Sequence, residues 1–416
     1  MKLLLSDIKR LIKAIKCQDF GFLMAIFYII FSYLRPQAIY PSLDIVPWTQ
    51  ISIILGLTFS SLKHGLRLQY SHFLLLLFAF ICLLSATNSY YPSLSFKYID
   101  TPFIWFLEVL FFTNCVRTLE QVRIVTIIFF LVLFKISFFG ARTWVERGFG
   151  FRDFGISGPT GFFENSGELS LLMAMLVILS ISFMFNIPKI RKIYYLLPVT
   201  ATMTVMAASS RGGQLALLLG YIILFMKLGK FKISSLFYLI LICTILFMLI
   251  PEKQKQRFES SGEDKTSQLR LIYWKAGLEM MSDNPITGVG YYSFPSYFHD
   301  HYVYRLPEQM IKWDVREVAH NTLIQLGSTL GYPGLLSYLL LYMIIFRLNR
   351  STQKLAHLAG DDRTLAWVST FSLGLNISLL VFFVGSFFMS VAYYPYTFFL
   401  IMLSQSLHNA VVENDR

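Results

Sequence analysis

Apolar stretches of membrane-spanning length recur from one end of this chain to the other, separated by short polar breaks. The pattern predicts twelve spans, at residues 20–34, 48–62, 70–88, 99–115, 124–140, 167–185, 193–209, 212–226, 234–250, 321–346, 364–388 and 389–407. Several are short for a full crossing, so tilt, kinks or local thinning are expected, and the last two abut. The expected fold is an all-α polytopic membrane protein. Residues 1–250 form a bundle of about nine spans, 251–320 a large and partly helical polar loop before the tenth span, and 321–416 the last three helices.

Composition agrees with this reading. Of 416 residues, 55% are hydrophobic and only 14% charged. The formal charge of +12 would suggest a nucleic-acid partner in a soluble domain, but in a membrane protein Lys and Arg gather in cytoplasmic loops and set orientation, so nucleic acid is discounted. With the N-terminus inside, more than half of the 36 basic residues fall on one side: residues 1–19, Lys63, Arg67, Arg117, Arg123, Lys189 to Lys192, Lys227 to Lys232, and Arg347 to Arg363. Both chain ends are then cytoplasmic and the polar loop 251–319 lies outside. The basic amphipathic segment MKLLLSDIKRLIKAIK is read as retained along the inner leaflet. Cys17, Cys82, Cys115 and Cys243 all miss the outer loop, so no disulfide framework or CxxC metal site is indicated.

Four places along the chain could carry chemistry. In VAHNTLIQLGSTLGYPGLLSYLLL, His320 stands at the predicted start of the tenth span, where unpaired backbone N–H groups favour anions and suit a neutral imidazole beside a phosphate. Gly331, Pro333 and Gly334 are expected to kink that helix. Arg211 lies in the tight turn Ser209 to Gly213 between two apolar runs, at the outer interface or inside the bundle, where a guanidinium is costly unless paired. Its fork matches diphosphate oxygens, although pairing with Glu108 or Glu168 is the alternative. Arg142, Arg147 and Arg152 occupy a short outer loop against the topology trend, for an anionic substrate or for pairing with nearby Glu146, Asp153, Glu164 and Glu168. The aromatic cluster from Tyr291 to Tyr304 suits an interfacial belt or a sugar-stacking wall. The outer loop holds nine Lys/Arg and ten Asp/Glu, so it is no electrostatic funnel, and it shows no DxD-type carboxylate pair for a metal.

The series His320, Asn321, nine residues, Gly331, two residues, Gly334 resembles the H-[NSQ]-x9-G-x-x-G signature of the O-antigen ligase and O-antigen polymerase superfamily, bacterial membrane glycosyltransferases that use undecaprenyl-diphosphate-linked glycans. The resemblance covers about residues 140–345. It implies a helical fold similar to GT-C-type glycosyltransferases, with about twelve spans, a large periplasmic loop, an arginine at a membrane turn, a second arginine early in the loop and the His motif at its end. Those positions fall on Arg211, Arg270 in QLRLIYWKAG, and His320, although Arg257, Arg305 and Arg316 share the loop. Asn165 in GFFENSGELS resembles the asparagine that opens a span in the family, and FSYLRPQAIYPSL looks like ligases associated with exopolysaccharide and protein-sorting clusters.

The resemblance implies a periplasmic active site on a bacterial inner membrane, an undecaprenyl-diphosphate-linked glycan as donor, lipid A-core as acceptor, and no cofactor or metal. His320 would act as base, with a protonated ligand of the diphosphate as the alternative, and Arg211 with Arg270 on the diphosphate; Arg142, Arg147, Arg152, Asn165 and Asn321 are candidates for substrate binding. A polymerase or a protein O-oligosaccharyltransferase would share the chemistry. A transporter of a lipid-linked glycan is the non-enzyme alternative, and it should show midplane breaks and internal pseudo-symmetry, neither of which is evident here. The topology is tested by labelling cysteines introduced at Gly262 and Arg350: the first should react from outside and the second only after permeabilisation. The reverse result would move the active face to the other compartment.

Overall fold

The computed structural model describes residues 2–150, 155–159, 161–187, 191–228, 265–307, 317–358 and 365–414. The ninth predicted span, together with Arg152, Arg257 and Arg316, lies outside these residues. Among them no strand is formed, and seven helices are long and apolar enough to cross a membrane. That is the make-up of a polytopic membrane protein.

In chain order the helices are α1 (Lys2–Lys16), α2 (Phe20–Ile29, prolonged by a wider turn to Leu34), α3 (Trp48–His64), α4 (Tyr70–Thr87), α5 (Pro92–Lys97), α6 (Asp100–Cys115), α7 (Leu119–Glu146), α8 (Ser166–Met184), α9 (Leu196–Ala207), α10 (Arg211–Leu228), α11 (Lys265–Asp283), α12 (Phe294–Tyr302), α13 (Thr322–Leu358), α14 (Ala366–Ser386) and α15 (Pro395–Asn414). Several edges differ from the apolar pattern, and α13 runs on to Leu358. The fifth run belongs to a 28-residue helix, because Thr118 caps it with Gln121 well before the apolar stretch begins and polar residues carry it on to Glu146. The two abutting runs at the end are parted by the segment 387–394, which proves central to the site.

α8 is the axis of the bundle. Only Ser166, Gly167, Glu168 and Ile181 of its 19 residues escape burial, as expected for a helix apolar on every side. α7, α9, α10 and α14 surround it, with small residues at the crossings: Gly213 lies against Ser170 and Gly374 against Ser182.

One end of the bundle is tied by charge. Asp19 caps α2 by accepting from the Phe22 N–H (2.9 Å) and pairs with Lys63 (3.4 Å) and His64 (3.0 Å) at the end of α3. Arg67 pairs with Glu413, Arg191 with Asp7 (3.1 Å), and the Arg117 guanidinium donates to the carbonyls of Asn114 and Gly65 (both 2.7 Å). Basic residues that the sequence assigns to one side thus meet at one end. The opposite end holds the starts of α8, α10 and α13.

α13 breaks where the sequence expects it. Gly331 takes φ 67°, ψ −169°, and Pro333 lacks the N–H that would bond to the Thr329 carbonyl. Three backbone groups lose their helical partners, and each finds another. The Tyr332 N–H donates to the Pro285 carbonyl (2.8 Å), the Ser328 carbonyl accepts from the Val289 N–H (2.8 Å), and the Thr329 carbonyl accepts from the Ser85 hydroxyl (2.7 Å). The donor turn is Asn284 to Gly290, wedged so closely into the kink that a Cβ on Gly288 would lie 2.3 Å from the Thr329 carbonyl carbon, and one on Gly331 would lie 2.5 Å from the Pro285 oxygen.

Gly331→Ala should therefore cost more than its backbone geometry alone. Gly65 has a similar backbone (φ 74°, ψ 155°) with nothing within 4 Å of its Cβ position, so Gly65→Ala isolates the conformational penalty. In thermal unfolding in detergent, Gly331→Ala should be less stable than Gly65→Ala by about 2 kcal/mol from the added overlap. Equal shifts would show that the turn does not brace the kink.

Candidate active site at three helix starts

His320 stands just before α13 with φ 50°, a left-handed backbone that a non-glycine residue adopts only at some cost. Its neighbours hold it there. The Ala319 carbonyl accepts from Trp274 Nε1 of α11 (3.1 Å), and Asn321 Oδ1 caps α13 by accepting from the N–H groups of Leu323 (2.9 Å) and Ile324 (3.1 Å). Glu317 Oε2 lies 3.5 Å from His320 Nε2, and the Tyr273 ring is 6.4 Å from the imidazole, centre to centre. The hydrogen bond from His320 holds the Glu317 carboxyl below the usual range, and burial, aided by the Glu317 charge, pushes the Tyr273 hydroxyl up to about 12. The phenol therefore stays protonated at neutral pH.

α11 runs parallel to the first half of α13. Gly277 packs on Ile324, Met281 on Gly327, and the turn after α11 enters the kink at Gly331. Since positions three and four apart share a helix face, Arg270 lies one turn before Tyr273 and Trp274, just beyond the level of His320. It is half-buried.

The Arg211 turn reaches the same place from the other side. Ser209 takes φ 52°, and Arg211 is the first residue of α10, half-buried. Gly212 sits so close to Phe388 that a Cβ there would be 2.8 Å from the phenylalanine Cβ. At the adjoining residue, the Thr322 hydroxyl donates to the Met389 carbonyl (2.8 Å) and accepts from the Val391 N–H (3.0 Å). Met389 Sδ and Ser210 Oγ both lie over Gly167 in the first turn of α8, at 3.3 and 3.6 Å from its Cβ position. Asn165 caps that helix by accepting from the Gly167 N–H (2.8 Å), and the Tyr394 hydroxyl donates to Glu168 Oε1 (2.7 Å). Three helix N-termini, those of α8, α10 and α13, thus converge on residues 388–391. Together they bring the positive ends of three helix dipoles to one locale, with Arg211 as the first residue of α10, an arrangement suited to an anion.

The structure brings together Arg211, His320, Asn321 and Asn165, with Arg270 one turn above. The two asparagines serve as helix caps. Arg142 lies apart in an exposed ion pair with Glu146 (Nε to Oε1, 2.7 Å), and Arg147 ends α7. Sequence reasoning passed over Glu317, Tyr273, Trp274, Thr322 and the segment 387–394. Glu317 had one available signal, its place three residues before His320; the segment 387–394 had none, because its role depends on contacts between distant parts of the chain.

Residues 196–339 match the family model described as O-antigen ligase. Over those residues the chain is similar to the O-antigen ligase family, which supports an assignment to it. A search of curated proteins finds no match. The matched stretch includes Arg211, Arg270 and His320, whereas Asn165 and the segment 387–394 lie outside it. The matched stretch carries its three candidate residues on α10, α11 and the lead into α13, and other parts of the chain join them.

Removing the Asn321 cap should cost about 1 kcal/mol in Asn321→Ala, and Asn321→Ser should restore most of it. If capping is the whole role, Ser should also recover the activity lost in Ala. Restored stability without restored transfer would make Asn321 a substrate contact as well.

Proposed function

We propose that this protein is a metal-independent, inverting glycan ligase at the outer face of a bacterial inner membrane, moving a glycan from undecaprenyl diphosphate to a hydroxyl of lipid A-core. The observation that carries this reading is the meeting of the Arg211 turn and the His320 helix start on neighbouring residues, Phe388 and Met389, within a chain matched to the O-antigen ligase family.

The donor brings its own leaving group. Attack by the acceptor oxygen on the anomeric carbon forms the new glycosidic bond and breaks the bond to the diphosphate oxygen, so negative charge grows on the diphosphate. Arg211 and Arg270 supply preorganised cationic donors for that charge in the role a metal ion has elsewhere, and the three helix N-termini add partial positive charge. His320 takes the acceptor proton as general base. Direct displacement inverts the anomeric centre. Arg142 and Arg147 stand at greater remove, where they would meet outlying anionic groups of donor or acceptor; Arg152 would act with them by its place in the sequence.

The test is transfer by purified protein in detergent, where no compartments exist and transport has no meaning. Turnover should persist in EDTA. Arg211→Lys should lose most activity despite keeping its charge, because an ammonium cannot grip two oxygens in a fixed plane. His320→Ala should lose about two to four orders of magnitude in kcat with little change in KM. Abolition by EDTA with rescue by magnesium would reject metal independence, near-normal turnover in His320→Ala would reject the base, and no transfer with any hydroxyl acceptor would leave the transporter.

A further inference from the structure

We propose that Glu317 is a positioning residue that fixes the tautomer of His320, holding the proton on Nε2 so that Nδ1 is the nitrogen that accepts the acceptor's proton. The inference rests on the reading of His320 as base, and goes beyond it by assigning the atom and the group that selects it.

A neutral imidazole carries one N–H and one lone pair, and the partner of one nitrogen decides the role of the other. Glu317 Oε2 faces Nε2 at 3.5 Å. An ionised carboxylate can only accept, so the nitrogen that faces it must be the donor. The hydrogen bond from His320 keeps this carboxylate charged by holding it below the usual range. Among the described residues, the neighbours of the ring named above do not compete for Nε2–H as strongly: the Tyr273 ring stands 6.4 Å away, centre to centre, with its hydroxyl protonated, and Arg270, one turn beyond, offers no acceptor.

The backbone on either side is fixed independently. Trp274 holds the Ala319 carbonyl, and Asn321 is spent on the N–H groups of Leu323 and Ile324. The left-handed backbone at His320 is therefore imposed from outside the ring, and the remaining freedom is the side-chain torsion, which Glu317 restrains. Once Nδ1 takes the proton from the attacking hydroxyl, the ring becomes an imidazolium that still donates through Nε2 to the carboxylate. The charge formed on the base is thus paired at the moment it appears, on the far side from the diphosphate. A separation of 3.5 Å is long for such a bond, and in catalytic pairs it shortens when substrate closes the site.

The experiment is nitrogen NMR of histidine-labelled, detergent-solubilised full-length protein at a pH where the ring is neutral, with His320 assigned by difference from His320→Gln. The wild type should show His320 protonated on Nε2. Glu317→Gln, which keeps the shape but can donate as well as accept, should lose that preference. It should also lower kcat about 10- to 100-fold with KM nearly unchanged; a fully buried carboxylate partner can cost about 10⁴, and this one is half-exposed. A wild-type ring protonated on Nδ1 would overturn the proposal even if the variant does not fold. So would wild-type kcat in Glu317→Gln beside an inactive His320→Ala, a result that leaves His320 as base; an active His320→Ala would instead remove the base reading itself.

Discussion

The arrangement depends on how backbone groups freed at the α13 kink are satisfied where water is scarce. An unpaired N–H or C=O costs about 1–3 kcal/mol even in a protein interior, and more in hydrocarbon. Gly331 and Pro333 free three such groups, and the turn Asn284 to Gly290 with Ser85 takes all three. Because that turn follows α11 directly, the same bonds fix the register of α11 along α13. Tyr273 and Trp274 are thereby set level with His320, and Arg270 one turn above. A break some three turns inside a helix thus determines what stands around its first residue.

A second constraint closes the site laterally. The segment 387–394 joins α14 to α15, and its residues 388 to 391 touch the first turns of α8, α10 and α13. Thr322 bonds its backbone twice, Gly212 leaves room for Phe388, and Met389 covers Gly167. Without this segment the Arg211 turn and His320 would be related only through helix packing lower in the bundle. With it they are separated by the width of neighbouring residues.

Much of the helical make-up was legible because hydrocarbon imposes a strong pattern: helices must be long and apolar, so their runs stand out. Helix edges were less so, since caps such as Thr118 and polar continuations such as Thr143 to Glu146 extend helices past the apolar boundary. At the site, the arginine in a tight turn and the His before a Gly-Pro break were conspicuous because each is out of place in a membrane segment. Glu317 and Tyr273 were not, for in a polar loop another acid or tyrosine is ordinary and becomes notable only through its distance to the imidazole. Arg142 is the reverse case. It was singled out by charge against topology, and its side chain lies in an exposed pair with Glu146 four residues on, a contact of small energetic weight.

The boundaries of the family match bear on how the chemistry is divided. Residues 196–339 contain the turn arginine, the α11 arginine and the histidine, together with the kink and the turn that clasps it. They contain neither α8, whose first turn completes the convergence, nor the segment 387–394 that bridges Arg211 to His320. The matched stretch therefore holds the candidate arginines and histidine, while the parts on either side hold those residues in place. Ser89 and Ser95, which bond to Ser293 and the Tyr291 carbonyl just beyond the clasping turn, belong to that outer set as well.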